Sequence, residues 1–349
     1  MKKINLHNKN QSFNVDKYIK VEDGIFNELH ESIKIKELRV YRNHKNMFNK
    51  IKKDDPKLYR KIYNSLSEDE KLWLDKGLLK KEYIQQVYKS SRASCDRIMR
   101  NKEPEDGTYT AISIMDNEIN EKITIFQLET ILNGKVIQNS NATHSANHSE
   151  KTNSNPDYVL ILPNNKEVLI ELQTTFTSKD VDKFKFLNMK NAKLKNYKKQ
   201  MNNNNKPVIH CEKVVNTKTN EVEFYFFDIP KLLEKGYLEI NRDNVYELKK
   251  TGEYDHLINN FYNAGRRPRI YFENIQDCGE KRRLNEKLEI TPYLKSFEKY
   301  LSKVEEKTET LTTTMSELFK NITLDEKLAT AENKVQRKCI TTRTKQQER

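Results

Sequence analysis

The chain has 349 residues, enough for two or three domains and a sizeable buried core. Apolar residues supply 35% of it, below the usual globular share, yet aromatics reach 9% with 17 Tyr and 14 Phe, which excludes wholesale disorder. Its 64 basic and 51 acidic side chains leave a formal charge of +13, which points to a polyanionic partner, most simply nucleic acid, although AT-rich coding also enriches lysine.

Residues 1–105 read as a helical, highly charged and basic region. Apolar positions recur every three to four residues in 28–51 and 66–102, and Ser67 with Glu70 forms a capping box ahead of Leu72 and Trp73. Within 82–100, two helical stretches separated by SSR have the rhythm of a helix-turn-helix, which would put Arg92, Arg97 and Arg100 on or near a DNA-reading helix. An ordinary helical pair fits the same spacing. EPEDG (103–107) marks a boundary.

A second region, 106–240, reads as α/β. TYTAISIM (108–115) alternates like a strand, and EKITIFQLETIL (121–132) reads as a helix that stops at Gly134. The polar segment 139–155 reads as a loop, so its His144 and His148 carry little metal signal. PDYVLILP (156–163), a two-residue Asn164-Asn165 turn and KEVLIELQTT (166–175) form a β-hairpin. A long helix follows over about 179–201, then a second hairpin from 207–215 and 221–229. Nine lysines and two acids fall in 179–206, with Lys185, Lys195 and Lys199 opposite an apolar stripe of Leu187, Leu194, Tyr197 and Met201; the lysines suit phosphate contact or simple solvation. Residues 241–330 are mixed to helical, with basic residues grouped at Arg266, Arg267 and Arg269, and 331–349 read as a flexible basic tail.

No apolar run approaches the roughly 18–20 residues that span a bilayer, and MKKINLHNKNQ lacks a signal core, so neither a membrane nor a secreted protein is expected. Cys95, Cys211, Cys278 and Cys339 lie far apart without a CxxC pair, which fits the cytoplasm rather than a disulfide framework or a zinc site. With 8 glycines and neither GxGxxG nor GxxxxGK[ST], the chain offers no phosphate loop for nucleotide-driven chemistry.

The chemistry concentrates in the first hairpin. Asp157 opens its first strand; thirteen residues intervene before Glu171, which shares a strand face with Gln173. Converging carboxylates make an all-oxygen site for Mg²⁺ or Mn²⁺, with Glu129 on the upstream helix as a third ligand candidate. Such an ion polarises a phosphodiester and acidifies a bound water.

This pattern resembles the PD-(D/E)xK nuclease superfamily, in the variant where glutamine replaces the motif lysine; the residues around it are also similar to nuclease-like domains of competence proteins and Rpn-type transposase relatives. The resemblance covers about 105–230 and matches Asp157, Glu171, Gln173 and Glu129. It implies a restriction-endonuclease-like mixed sheet flanked by helices, with a helical N-terminal region and a C-terminal helical extension. It also implies a Mg²⁺- or Mn²⁺-dependent DNA endonuclease that uses Asp157, Glu171 and Gln173 in catalysis and Asp157, Glu171 and Glu129 for the metal. Gln173 carries no charge, so it can position a water only through hydrogen bonds. A lysine from elsewhere can fill the missing role, Lys198 and Lys199 being candidates. The competing expectation is a non-enzymatic nucleic-acid-binding protein. A homodimer is compatible with either.

Overall fold

The computed structural model describes residues 18–20, 44–90, 108–139, 155–263 and 266–306. The chain divides into two compact units, Met1–Ser296 and Phe297–Arg349; the described part of the second, 297–306, is helical. Arg92, Arg97, Arg100, the rest of the expected helix-turn-helix, His144, His148 and the tail at 331–349 lie outside the described residues.

Helices α1 (44–54), α2 (Pro56–Ser65), α3 (Glu68–Lys76) and α4 (Lys81–Ser90) open the first unit, beside a ribbon of β1 (Tyr18–Lys20) and β2 (Leu78–Lys80). Asp55 caps α2 by accepting from the Lys57 and Leu58 amides at 3.1 and 2.9 Å, with Pro56 in the first turn where its missing N–H costs nothing. Ser67 and Glu70 form the capping box expected from their spacing: Ser67 Oγ accepts from Glu70 N at 3.3 Å and Glu70 Oε2 from Ser67 N at 2.7 Å. Helix α3 stops at Gly77, whose φ of 63° is the left-handed conformation that glycine adopts without a Cβ penalty.

Thr108–Leu132 is one helix, α5, so the strand expected at 108–115 is its first two turns. Ala111, Ile112, Ile114, Met115, Ile119, Ile123, Leu128 and Ile131 are all buried, and an apolar face this wide hides the helical period in a short window.

The main sheet contains β3 (Lys135–Gln138), β4 (Tyr158–Ile161), β5 (Glu167–Thr177), β7 (Val208–Asn216), β8 (Val222–Asp228) and β11 (Gly279–Arg283), in the order β11-β8-β7-β5-β4-β3. Only β5 and β7 run parallel, so the sheet is mixed. The α/β class with a helix-flanked mixed sheet is as the sequence leads one to expect. The β4–β5 loop has three residues rather than two. Leu162 N donates to Lys166 O at 2.9 Å across Pro163, Asn164 and Asn165, and Asn165 takes a left-handed φ of 60°.

Between β5 and β7 the expected long helix divides. Phe186–Lys190 is a strand, β6, and only Asn191–Asn204 is helical, as α6. The local reason is alternation, with Leu187 and Met189 buried; the deciding one is antiparallel pairing of β6 with β10 (Arg269–Glu273). Lys185 therefore sits before a strand and shares no helix face with Lys195 and Lys199. With β9 (Leu238–Ile240), these strands make a second sheet in the order β6-β10-β9. Helices α7 (Ile229–Lys235), α8 (Val245–Thr251) and α9 (Asp255–Asn263) complete the region, and a further helix begins at 291.

One apolar cluster joins Met47, Phe48, Ile62 and Trp73 of the N-terminal helices to α5 and to Tyr158, Leu160, Ile170, Cys211, Phe224 and Phe226 of the sheet. The boundary expected at 105/106 therefore separates no two cores. A smaller cluster joins Ile240 to Val245, Leu257, Phe261 and Tyr271, so the boundary at 240/241 cuts through a core. Among the described residues, no helix is long and apolar enough to cross a membrane.

Candidate active site

The β4–β5 register pairs Tyr158 with Ile170, so Asp157 and Glu171 follow one position further on and share a face. Alternation sends Ile170 to the α5 side of the sheet and turns Glu171 and Gln173 to the other. On β7, alongside in parallel register, His210 lies beside Glu171 and Glu212 beside Gln173. Helix α6 supplies buried Leu194, Tyr197 and Met201.

Asp157 Oδ2 accepts from Leu172 N at 2.9 Å, which fixes that carboxylate against β5. Glu171 is 3% exposed. Burial, then the negative charge of Asp157, pushes its carboxyl up to about 8, against the opposing charges of Lys193 and Lys190. Lys193, in the first turn of α6, places Nζ on Glu171 Oε1.

A second polar chain lies beside the pair, where His210 neighbours Glu171 in the register. Tyr197 OH and His210 Nδ1 are 3.2 Å apart, His210 Nε2 and Glu212 Oε1 3.1 Å, and Glu212 Oε2 and Lys183 Nζ 2.9 Å. Lys183 also donates to Thr175 Oγ1 at 3.3 Å. Burial, reinforced by Glu171, Asp157 and Glu212, holds the Tyr197 phenol well above its ordinary range, so it stays protonated. Burial opposes ionisation of Glu212 too, but His210 and Lys183 outweigh it and hold that carboxyl below its usual range.

The other expected residues are placed as follows. Gln173 is half-buried on the face of Glu171, and its amide makes no hydrogen bond among the described residues. Glu129 is not brought to the pair: its Oε1 accepts from Val136 N at 3.1 Å at the start of β3. The helix carboxylate at the Asp157 end is Glu121, eight residues earlier on α5, whose Oε2 accepts from Gln138 Nε2 at 2.9 Å. Gln138 pairs with Tyr158, and burial followed by the charges of Glu121 and Asp157 pushes the Tyr158 phenol well above its usual range. Lys198 is directed away, with Nζ 3.4 Å from Tyr237 OH, and Lys195, Lys199 and Lys185 are exposed. No local sequence signal distinguishes Lys193 or Glu121 from its neighbours.

Two carboxylates from neighbouring strands and an ammonium from α6 can bind a hard divalent ion, hold a water and neutralise phosphate charge. Among the described residues, no group of three or more His, Cys, Asp or Glu side chains is placed to hold a metal. Neither a family model, a curated protein nor a solved structure matches the chain.

Proposed function

We propose that this chain is a metal-dependent DNA endonuclease of the PD-(D/E)xK kind, in which Lys193 replaces the motif lysine. The observation that carries the reading is the convergence of Asp157 at the start of β4, Glu171 of β5 and Lys193 of α6 on one face of the sheet. The donor set suits Mg²⁺ or Mn²⁺, because Asp157 and Glu171 offer hard oxygens and leave room for waters. Burial first, and repulsion from Asp157 second, raises the Glu171 carboxyl, and a dication relieves that repulsion. A bound ion would acidify a water and polarise the phosphodiester.

Leu172 N keeps the Asp157 carboxylate aimed at the site. Lys193 is able to meet a phosphate oxygen once Glu171 turns to the ion, and the Gln173 amide, which makes no hydrogen bond among the described residues, is able to orient the attacking water. The +13 charge supports DNA as the partner. Cutting both strands of a duplex calls for two such sites, which a homodimer supplies. A reducing cytoplasm suits the free, buried Cys211 and Cys278.

Purified protein should nick plasmid DNA with Mg²⁺ or Mn²⁺ and stop on addition of EDTA. Asp157→Ala and Glu171→Ala should each abolish cutting while retaining a cooperative melt; unchanged cutting by either refutes the site. The internal Lys193–Glu171 pair favours one second reading, a nucleic-acid-binding protein without hydrolysis. Salt-sensitive gel shifts with no nicking under any divalent ion would establish that reading instead.

A further inference from the structure

The smaller sheet brings like charges together. In the antiparallel register of β6 and β10, Lys190 lies directly opposite Arg269, an arrangement that destabilises a strand pair unless something relieves it. Lys190 is exposed and precedes the first turn of α6, where it makes no side-chain cap. Lys193 follows one helical turn later. Arg267 is exposed, and the intervening Pro268 carbonyl accepts from Asn191 N at 3.2 Å, which fixes the arginine segment at the start of α6.

Among the described residues these cations lack acidic partners: no carboxylate forms an ion pair with Lys190, Arg267 or Arg269. Arg269 Nη1 donates to the neutral Asn188 Oδ1 at 3.2 Å, and its Nε is buried without an acceptor. The acid on the neighbouring strand, Glu239, accepts from Asn191 Nδ2 at 2.5 Å and Asn241 Nδ2 at 3.3 Å instead. Partial burial, then the charges of Lys193, Arg267 and Arg269, lowers the Lys190 amine, and Glu171 is the carboxylate that opposes this.

We propose that Lys190, Arg267 and Arg269 grip a backbone phosphate next to the one engaged at Asp157, Glu171 and Lys193, so that the substrate is a nucleic-acid strand rather than a small phosphate ester. The inference rests on the nuclease reading for the second phosphate alone. Guanidinium forks match phosphate oxygens in pairs, and the positive end of α6 adds to the attraction. Such interactions hold the backbone without reading sequence. They also account for the arginine group at 266–269 that the carboxylate site leaves unused.

The test is fluorescence anisotropy with a labelled duplex, Ca²⁺ in place of Mg²⁺, from 50 to 300 mM salt. Lys190→Gln combined with Arg267→Gln should weaken binding and reduce the slope of log K against log salt by about 0.9 for each phosphate no longer neutralised. Lys218→Gln, in the β7–β8 turn outside this cluster, should leave the slope unchanged. Lys190→Arg with Arg267→Lys should restore it, which a folding defect would not allow. An unchanged slope in the Gln double variant, or an equal fall in Lys218→Gln, overturns the grip. The two readings fail separately. Wild type that binds with the expected slope yet never cuts removes the nuclease reading and keeps the grip. Wild type that cuts while the double variant keeps its slope does the reverse.

Discussion

Glu171→Gln removes a carboxyl that the fold keeps protonated through much of the neutral range. With an ordinary value of 4.5 in the unfolded chain and about 8 in the folded one, the folded state binds more protons between those limits. Stability therefore falls as pH rises through that window. The displacement corresponds to at most about 5 kcal/mol, since each tenfold change in proton activity is worth about 1.4 kcal/mol. That displacement is already net of the lowering by the Lys193 pairing. Urea denaturation from pH 5 to 8.5 without metal reads it directly. Below about pH 7 wild type should lose stability with a slope approaching about 1.4 kcal/mol per pH unit; above that the buried Lys213 amine opposes the fall equally in both proteins. Glu171→Gln should lack that fall and be the more stable protein at pH 8. Mg²⁺ at pH 7.5 should stabilise wild type by mass action and leave the variant unmoved. Parallel pH curves for the two proteins would refute the buried, repelled carboxyl and with it the carboxylate pair.

Four further outcomes are expected. Lys193→Gln should lower cleavage by about 10²–10³-fold, the scale of one missing electrostatic donor, and a normal rate in plasmid nicking would remove Lys193 from the site. Gln173→Ala should lower the rate by about 10²–10⁴-fold with little change in DNA affinity, and wild-type turnover would place Gln173 outside catalysis. Lys213 is fully buried, with Nζ on Asn120 Oδ1 at 3.0 Å and Thr124 Oγ1 at 2.8 Å, and burial lowers its amine to about 7. Between about 7 and 10.5 the unfolded chain binds the extra proton, so stability rises with pH there; Lys213→Met should abolish that rise in denaturation curves, and its persistence would contradict the assignment. Gly279 packs so closely on the Phe226 carbonyl that a Cβ there would collide with it; Gly279→Ala should cost about 1–3 kcal/mol, and an unchanged melt would show that β11 can shift.

Local chemistry in the sequence determined much of the fold. The Ser67/Glu70 box and the two hairpins rest on hydrogen bonds and turns closed within a few residues, so their signals are contiguous. The shared face of Asp157 and Glu171 follows from that hairpin and the two-residue period of a strand. Tertiary structure decided what depends on distant partners. Residues 186–190 became a strand because 269–273 offered them an edge, and the alternating start of α5 became helix because it is buried among the N-terminal helices and the main sheet. Glu121 rather than Glu129 reached the Asp157 end through its register against β3. Lys193 reached Glu171 because α6 lies across that face of the sheet; one turn of helix separates it from Tyr197, but only packing chooses which of the nearby lysines points inward.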